Sequence, residues 1–304
     1  MSLLSVVLIP ILLNAQVDDS TKREIKLQGA FNFRDIGGYA TKDGKHIKWG
    51  KMYRSADISK LTDEDVKKLT ALAINNVFDF RGPMEVSKAP DRLPLTAIRT
   101  SLPAGSEQLG GDNATMFKSM RVATSGDSIM LPYYANIESF EKRYKPIFDQ
   151  LLIQPKDSAI LFHCSAGKDR TGIFTALLLS VLDVDTAIIF QDYLASNFYS
   201  NNKNAAIKKM MIENFKIPEP VATDVLGVKT SYLQSTFTAI NSLYGSIENY
   251  LKNVMGLDKK KMKKIEITLF RVREDIILKP VTCGNGAYPA IPYPESIKSK
   301  KDSS

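Results

Sequence analysis

Between Ala159 and Leu182 the chain passes from a five-residue apolar stretch, AILFH, through a polar loop, CSAGKDRTG, into IFTALLLSVL. A strand so short and so apolar is buried on both faces, and the second run is apolar all round, as an interior helix is. The spacing predicts a strand over 159–163 and a helix over 173–182, joined by a loop that caps the helix. An α/β fold buries both elements, with a central, mainly parallel sheet flanked by helices.

The loop itself composes a reaction. The small residues Ser165, Ala166 and Gly167 let successive backbone N–H groups turn inward, and the helix N-terminus adds partial positive charge, which makes a cradle for a phosphate dianion. Cys164 stands at its base, where the same field favours the thiolate, the nucleophilic form. Arg170, six residues on, can fork two phosphate oxygens. A buried structural cysteine would leave Lys168, Asp169, Arg170 and Thr171 without a purpose. A Walker-type nucleotide loop would need Gly at position 162 and Ser or Thr at 169, where Phe162 and Asp169 stand.

These parts suggest two steps without metal or cofactor: Cys164 attacks phosphorus while the loop amides and Arg170 hold the equatorial oxygens, and water then hydrolyses the thiophosphate. Thr171 is placed to stabilise the departing thiolate, and His163 to orient the cysteine backbone. Two candidates stand for the general acid. Asp169 is preferred because the loop sets it beside the leaving group; Asp79, at the end of an earlier strand, is the runner-up, since the approach 130–136 (MLPYYAN) holds no carboxylate. Lys168 adds positive charge, which suits multiply phosphorylated headgroups as well as a simple monoester.

Composition removes other classes. Only Cys164 and Cys283 are present, too few for a disulfide framework, and His46 and His163 are too few for a multi-histidine metal centre. The net charge of +8 is concentrated late: residues 258–304 hold 11 basic and 6 acidic side chains. The remaining chain is only mildly basic and lacks aromatic-basic interleaving, so nucleic acid is not an expected partner.

Along the chain, Leu3 to Leu13 is apolar but too short to span a bilayer, so residues 1–16 read as a signal peptide, with export as the expectation, a cytoplasmic chain as the alternative, and no stable membrane insertion of the mature protein. Leu61 to Asp65 opens a helix capped by Thr62, with Val66, Leu69 and Ala73 on one face. A strand is expected over 76–80, a surface excursion over 94–131, helices over 137–152, 185–215, 221–244 and 259–277, and a polar tail from 281 to 304. No internal repeat and no transmembrane helix is read, and the sequence does not set the oligomeric state.

The segments NFRDIGGY (32–39), YRS (53–55), VFDFR (77–81) and the loop at 164 occur in this order in a bacterial family of tyrosine and dual-specificity phosphatases with secreted mycobacterial and listerial members. The chain resembles that family. The resemblance implies a cysteine-phosphatase fold, a catalytic domain over 17–280, a helical lid over about 185–255, and phosphotyrosine or phosphoinositide substrates, with phosphoserine or phosphothreonine tolerated. A catalytically silent phosphate-binding module and a sulfur-transfer enzyme are the readings from other classes.

Overall fold

The computed structural model describes residues 20–109 and 114–270, which belong to one compact unit. The signal-peptide segment, Cys283 and the tail over 281–304 lie outside the described residues. Five strands form one sheet: β1 (Arg34–Asp35), β2 (Met52–Ser55), β3 (Ile74–Asp79), β4 (Ile98–Ser101) and β5 (Ala159–His163). Their order is β1-β2-β5-β3-β4, with β1 antiparallel to β2 and every other pairing parallel.

β5 sits in the middle because its side chains are apolar in both directions. Ala159 and Leu161 join Tyr53, Val77, Leu69 and Phe33 in one apolar layer, while Ile160 and Phe162 join Phe78, Phe174 and Tyr144 in the larger one. The carboxyl ends of the parallel strands fall in register, Ser55 beside His163 and His163 beside Asp79. The site is therefore built along one sheet edge, where α/β proteins place their ligands.

Thirteen helices complete the described residues: α1 (Ser20–Arg23), α2 (Asp63–Ala71), α3 (Pro83–Lys88), α4 (Ala114–Val122), α5 (Asp127–Ala135), α6 (Phe140–Leu151), α7 (Arg170–Val181), α8 (Thr186–Tyr199), α9 (Asn201–Glu213), α10 (Glu219–Leu226), α11 (Thr230–Tyr244), α12 (Ile247–Asn253) and α13 (Lys259–Leu269). Helix α2 starts at a reciprocal cap in which Thr62 Oγ1 accepts from the Asp65 amide and Asp65 from the Thr62 amide. Ala73, expected on its apolar face, lies beyond its end at φ +53°. None of the described helices is long and apolar enough to cross a membrane.

Two expectations are corrected. The segment 94–131 is not a plain surface excursion: it supplies β4 and α4 and the start of α5. β4 is a four-residue edge strand with Ile98 exposed, so its pattern does not mark it as part of a sheet. The long helical runs break at Ser200 and at Gly227. Within the stretch expected as a lid, Asp192 of α8 pairs with the buried Arg34 and Arg54 beneath the catalytic loop.

Candidate active site

The loop from Cys164 to Asp169 leaves β5 and enters α7. Cys164 is buried, and its Sγ accepts from the Gly167 N–H at 3.3 Å and from the Thr171 hydroxyl at 3.2 Å. Both donors stabilise negative charge on sulfur. The turn requires Gly167: its φ is +66°, and a Cβ there would stand 2.5 Å from the backbone of Ser55 and Ala56.

Behind the loop, Asn32, itself at φ +55°, donates through Nδ2 to the carbonyls of Ala166 and Gly167 at 3.1 and 3.0 Å. Arg54 Nη2 also donates to the Gly167 carbonyl, at 2.8 Å. Carbonyls held outward leave the opposite faces of the same peptides, with their N–H groups, turned toward the cradle. Arg34 and Arg54 share Asp192 at 3.2 and 2.6 Å, and Tyr39 adds a hydrogen bond at 2.9 Å. Burial alone would raise the Asp192 pKa, but the two guanidiniums outweigh it and hold the carboxyl well below its ordinary range. Asp35 does not pair with Arg34; it accepts from the amides of Gly37 and Gly50 at 2.7 and 2.6 Å and fixes the turns there.

Arg170 lies at the same rim. Its guanidinium is gripped by both oxygens of Glu85, at 2.7 and 2.9 Å, and also donates to the Phe80 carbonyl and to Ser106 Oγ at 3.0 and 3.3 Å. Ser165 donates to the same Glu85 carboxylate. Burial would raise the Glu85 pKa, but Arg170 and Ser165 hold it below its ordinary value, so a fork-to-fork ion pair aims the arginine. Sequence reasoning did not find Glu85. Its signal is a helix start, since the carboxylate also accepts from the Gly82 amide at 2.9 Å, and nothing in that pattern points to Arg170, 85 residues on.

Asp169 stands beside the loop opening, with its side chain 19% accessible. Its Oδ1 accepts from the Tyr134 hydroxyl at 2.6 Å and from Lys168 Nζ at 2.7 Å. Tyr193 in turn donates to the Tyr134 oxygen at 2.7 Å. Burial, with Asp169 beside it, pushes the Tyr134 phenol well above its ordinary pKa, so Tyr134 keeps its proton and donates. Lys168, expected to face substrate, is turned onto Asp169 and is nearly buried.

Asp79, the runner-up for the general acid, does not share the exposure of Asp169. It is fully buried, and its oxygens are taken by Arg81 at 2.9 Å and by Arg99 at 2.6 Å. Burial would raise its pKa, but His163 and Arg81 outweigh that and keep it ionised. His163 also departs from expectation. Neither ring nitrogen makes a well-formed hydrogen bond, and Nε2 faces Asp91 at 3.2 Å and Asp79 at 3.8 Å. The histidine completes a buried charge cluster under the loop with Arg81, Arg99, Asp79 and Asp91 instead of holding the cysteine backbone. The oxygens of Asp79 and Asp91 are already occupied by guanidiniums, so the Asp79–Asp91–His163 grouping is a poor cation site despite its spacing.

A cysteine with two donors on sulfur, small-residue amides around it and an arginine clamped at the rim, at the carboxyl edge of a mainly parallel sheet, defines a cysteine-dependent phosphatase. Residues 25–271 match the tyrosine phosphatase family model, and the chain belongs to that family. It is 30% identical over 233 residues to a Cupriavidus necator protein whose name assigns it by inference to the tyrosine-protein phosphatases, covering 75% of this chain and 82% of that one. It is 29% identical over 259 residues to the triple specificity protein phosphatase PtpB of Mycobacterium tuberculosis, covering 75% and 92%. A tyrosine-protein phosphatase of Nostoc commune is 29% identical over 224 residues, covering 71% and 73%. Among solved structures, P. aeruginosa TpbA matches with a TM-score of 0.27 and 17% identity, over 72% of this chain and 85% of that one.

Proposed function

We propose that the protein hydrolyses phosphotyrosine monoesters through a phosphocysteine intermediate, tolerating other phosphomonoesters. The observation that carries this is the pair of donors on Cys164 Sγ, from Gly167 and Thr171, inside the same loop that presents Arg170. Those donors hold the thiolate in place for in-line attack. The sulfur–phosphorus bond forms as the phosphorus–oxygen bond breaks, and Arg170 and the loop amides hold the equatorial oxygens. Asp169 gives its proton to the leaving oxygen, and Tyr134, backed by Tyr193, fixes the carboxyl for that transfer. In the second step Asp169 takes a proton from water as water attacks phosphorus, and the thiolate returns to its two donors.

Tolerance of further substrates is supported by the triple-specificity name of the M. tuberculosis relative. A movable cover is supported by the small apolar cluster of Met120, Met211, Ile217, Val221 and Ala222, through which α4, α9 and α10 pack outside the main core. The apolar run at residues 3–13 supports export.

The test is phosphate release, with a chelator present, from a phosphotyrosine peptide, a phosphoserine peptide and a soluble phosphoinositide. The expected order of kcat/KM puts the phosphotyrosine peptide first. The phosphoinositide in first place would move the assignment to lipid substrates, and an absence of turnover on all three would end the enzymatic reading.

Three substitutions test the assigned roles. Asp169→Asn is expected to lower kcat/KM, which reads the first step, by about 10²–10⁴-fold on phenyl or alkyl phosphates and to leave kcat/KM little changed where the leaving group needs no proton. Asp79→Asn is expected to lower the melting temperature without that dependence on the leaving group. Arg170→Lys keeps the charge but loses the fork to phosphate and to Glu85, and a fall in kcat of about 10²–10³-fold is expected.

A further inference from the structure

A cavity of about 510 Å³ is lined by Ile173, three residues into α7, and by the start of α6. Its walls are largely apolar, from Pro132, Tyr133, Phe140 and Ile173, and Arg143 lines its depth. That arginine is only 3% accessible, and its Nε has no hydrogen-bond partner among the described residues. Its Nη2 donates to the Ala104 carbonyl and to Ser106 Oγ, the latter at 3.1 Å, and the Tyr144 ring centroid lies 5.6 Å from Cζ. No carboxylate among the described residues pairs with it. Burying a guanidinium without a counter-charge is costly, and every other buried arginine of this site has its acid: Arg34 and Arg54 have Asp192, Arg81 has Asp79, and Arg170 has Glu85.

Ser106 Oγ accepts from both Arg143 and Arg170, so the second guanidinium sits one hydroxyl away from the one that takes the scissile phosphate. We propose that this cavity is a specificity subsite for an acidic side chain flanking the phosphorylated residue of a peptide substrate, whose carboxylate completes the pairing of Arg143. The inference rests on the phosphatase reading. The apolar walls suit the stem of a glutamate, and the space exceeds what a lone anion fills. The exposed mouth carries Glu107 and Glu138 as well as Lys142. That mixed rim suits a peptide of varied charge better than a uniformly anionic inositol headgroup.

The test compares phosphotyrosine peptides that carry Glu or Gln at each of the two positions on either side of the phosphotyrosine. In the wild type, at least one position is expected to give a kcat/KM about 10-fold or more higher for Glu, as a charge-assisted hydrogen bond to a buried cation allows. In Arg143→Met that ratio is expected to fall to about one, with the loss in KM, and Arg143→Lys is expected to recover part of it. A ratio of one at every position in the wild type would overturn the subsite even if the variants failed to fold, and so would a ratio that survives Arg143→Met. Turnover of a soluble inositol bisphosphate that depends on Arg143, with no peptide discrimination, would overturn the assignment to peptides. No turnover of any peptide would instead count against the phosphatase reading itself.

Discussion

Cys164→Ser is expected to lower phosphate release on every substrate by a factor on the order of 10⁴ or more, while leaving the fold and phosphate binding in place. The sulfur is the attacking atom, and the Gly167 amide and the Thr171 hydroxyl both donate to it. A serine hydroxyl in the same place keeps its proton, because among the described residues no basic side chain hydrogen-bonds to this position. The cradle, by contrast, is made of backbone and Arg170, and it survives the change. Steady-state turnover and calorimetric binding of a phosphotyrosine peptide, measured on the same preparation, separate the two effects. Turnover within 10-fold of wild type would remove the nucleophile from the account.

Asp192→Ala is expected to be the most damaging single change to stability, about 3–5 kcal/mol, because it strands two guanidiniums that are fully buried. The consequence reaches the site. Arg54 holds the Gly167 carbonyl, and Arg34 donates to the Asn32 side chain that holds the carbonyls of Ala166 and Gly167. Loss of the anchor lets the loop rotate its peptides, so activity should fall even where the variant stays folded. Chemical denaturation with the loop probed by phosphate protection measures both. The same carboxyl sets a pH limit: its pKa is depressed on folding, so its stabilisation is fully present above the unfolded carboxylate value and is lost as pH falls below about 4. Asp79, depressed in the same direction, loses its contribution over the same acid range.

The catalytic loop was legible from residues alone because its chemistry is local. Strand, nucleophile, small-residue turn, arginine and helix are contiguous, and burial of β5 on both faces follows directly from AILFH. The support of that loop was not legible, because it is assembled from chain-distant parts. Glu85 reads as a helix start, Asp192 as one polar residue in an apolar helix, and Tyr134 as one of several aromatics. Each acquires its role only when the fold brings together residues 35 to 158 positions apart. His163 shows the opposite error. Its neighbour in sequence is the nucleophile, yet its ring turns to the strand-end charges of Asp79 and Asp91. The edge strand β4 escaped for a third reason, since four half-exposed residues carry almost no periodicity.

The most direct test of the central claim is rapid acid quenching of the wild-type protein during turnover of a phosphotyrosine peptide, followed by peptide mapping. The account predicts a phosphoryl group on Cys164 within the first turnover and none in Cys164→Ser. Phosphate released at the normal rate with no phosphorylated Cys164 at any quench time, or phosphate carried by another residue, would contradict it.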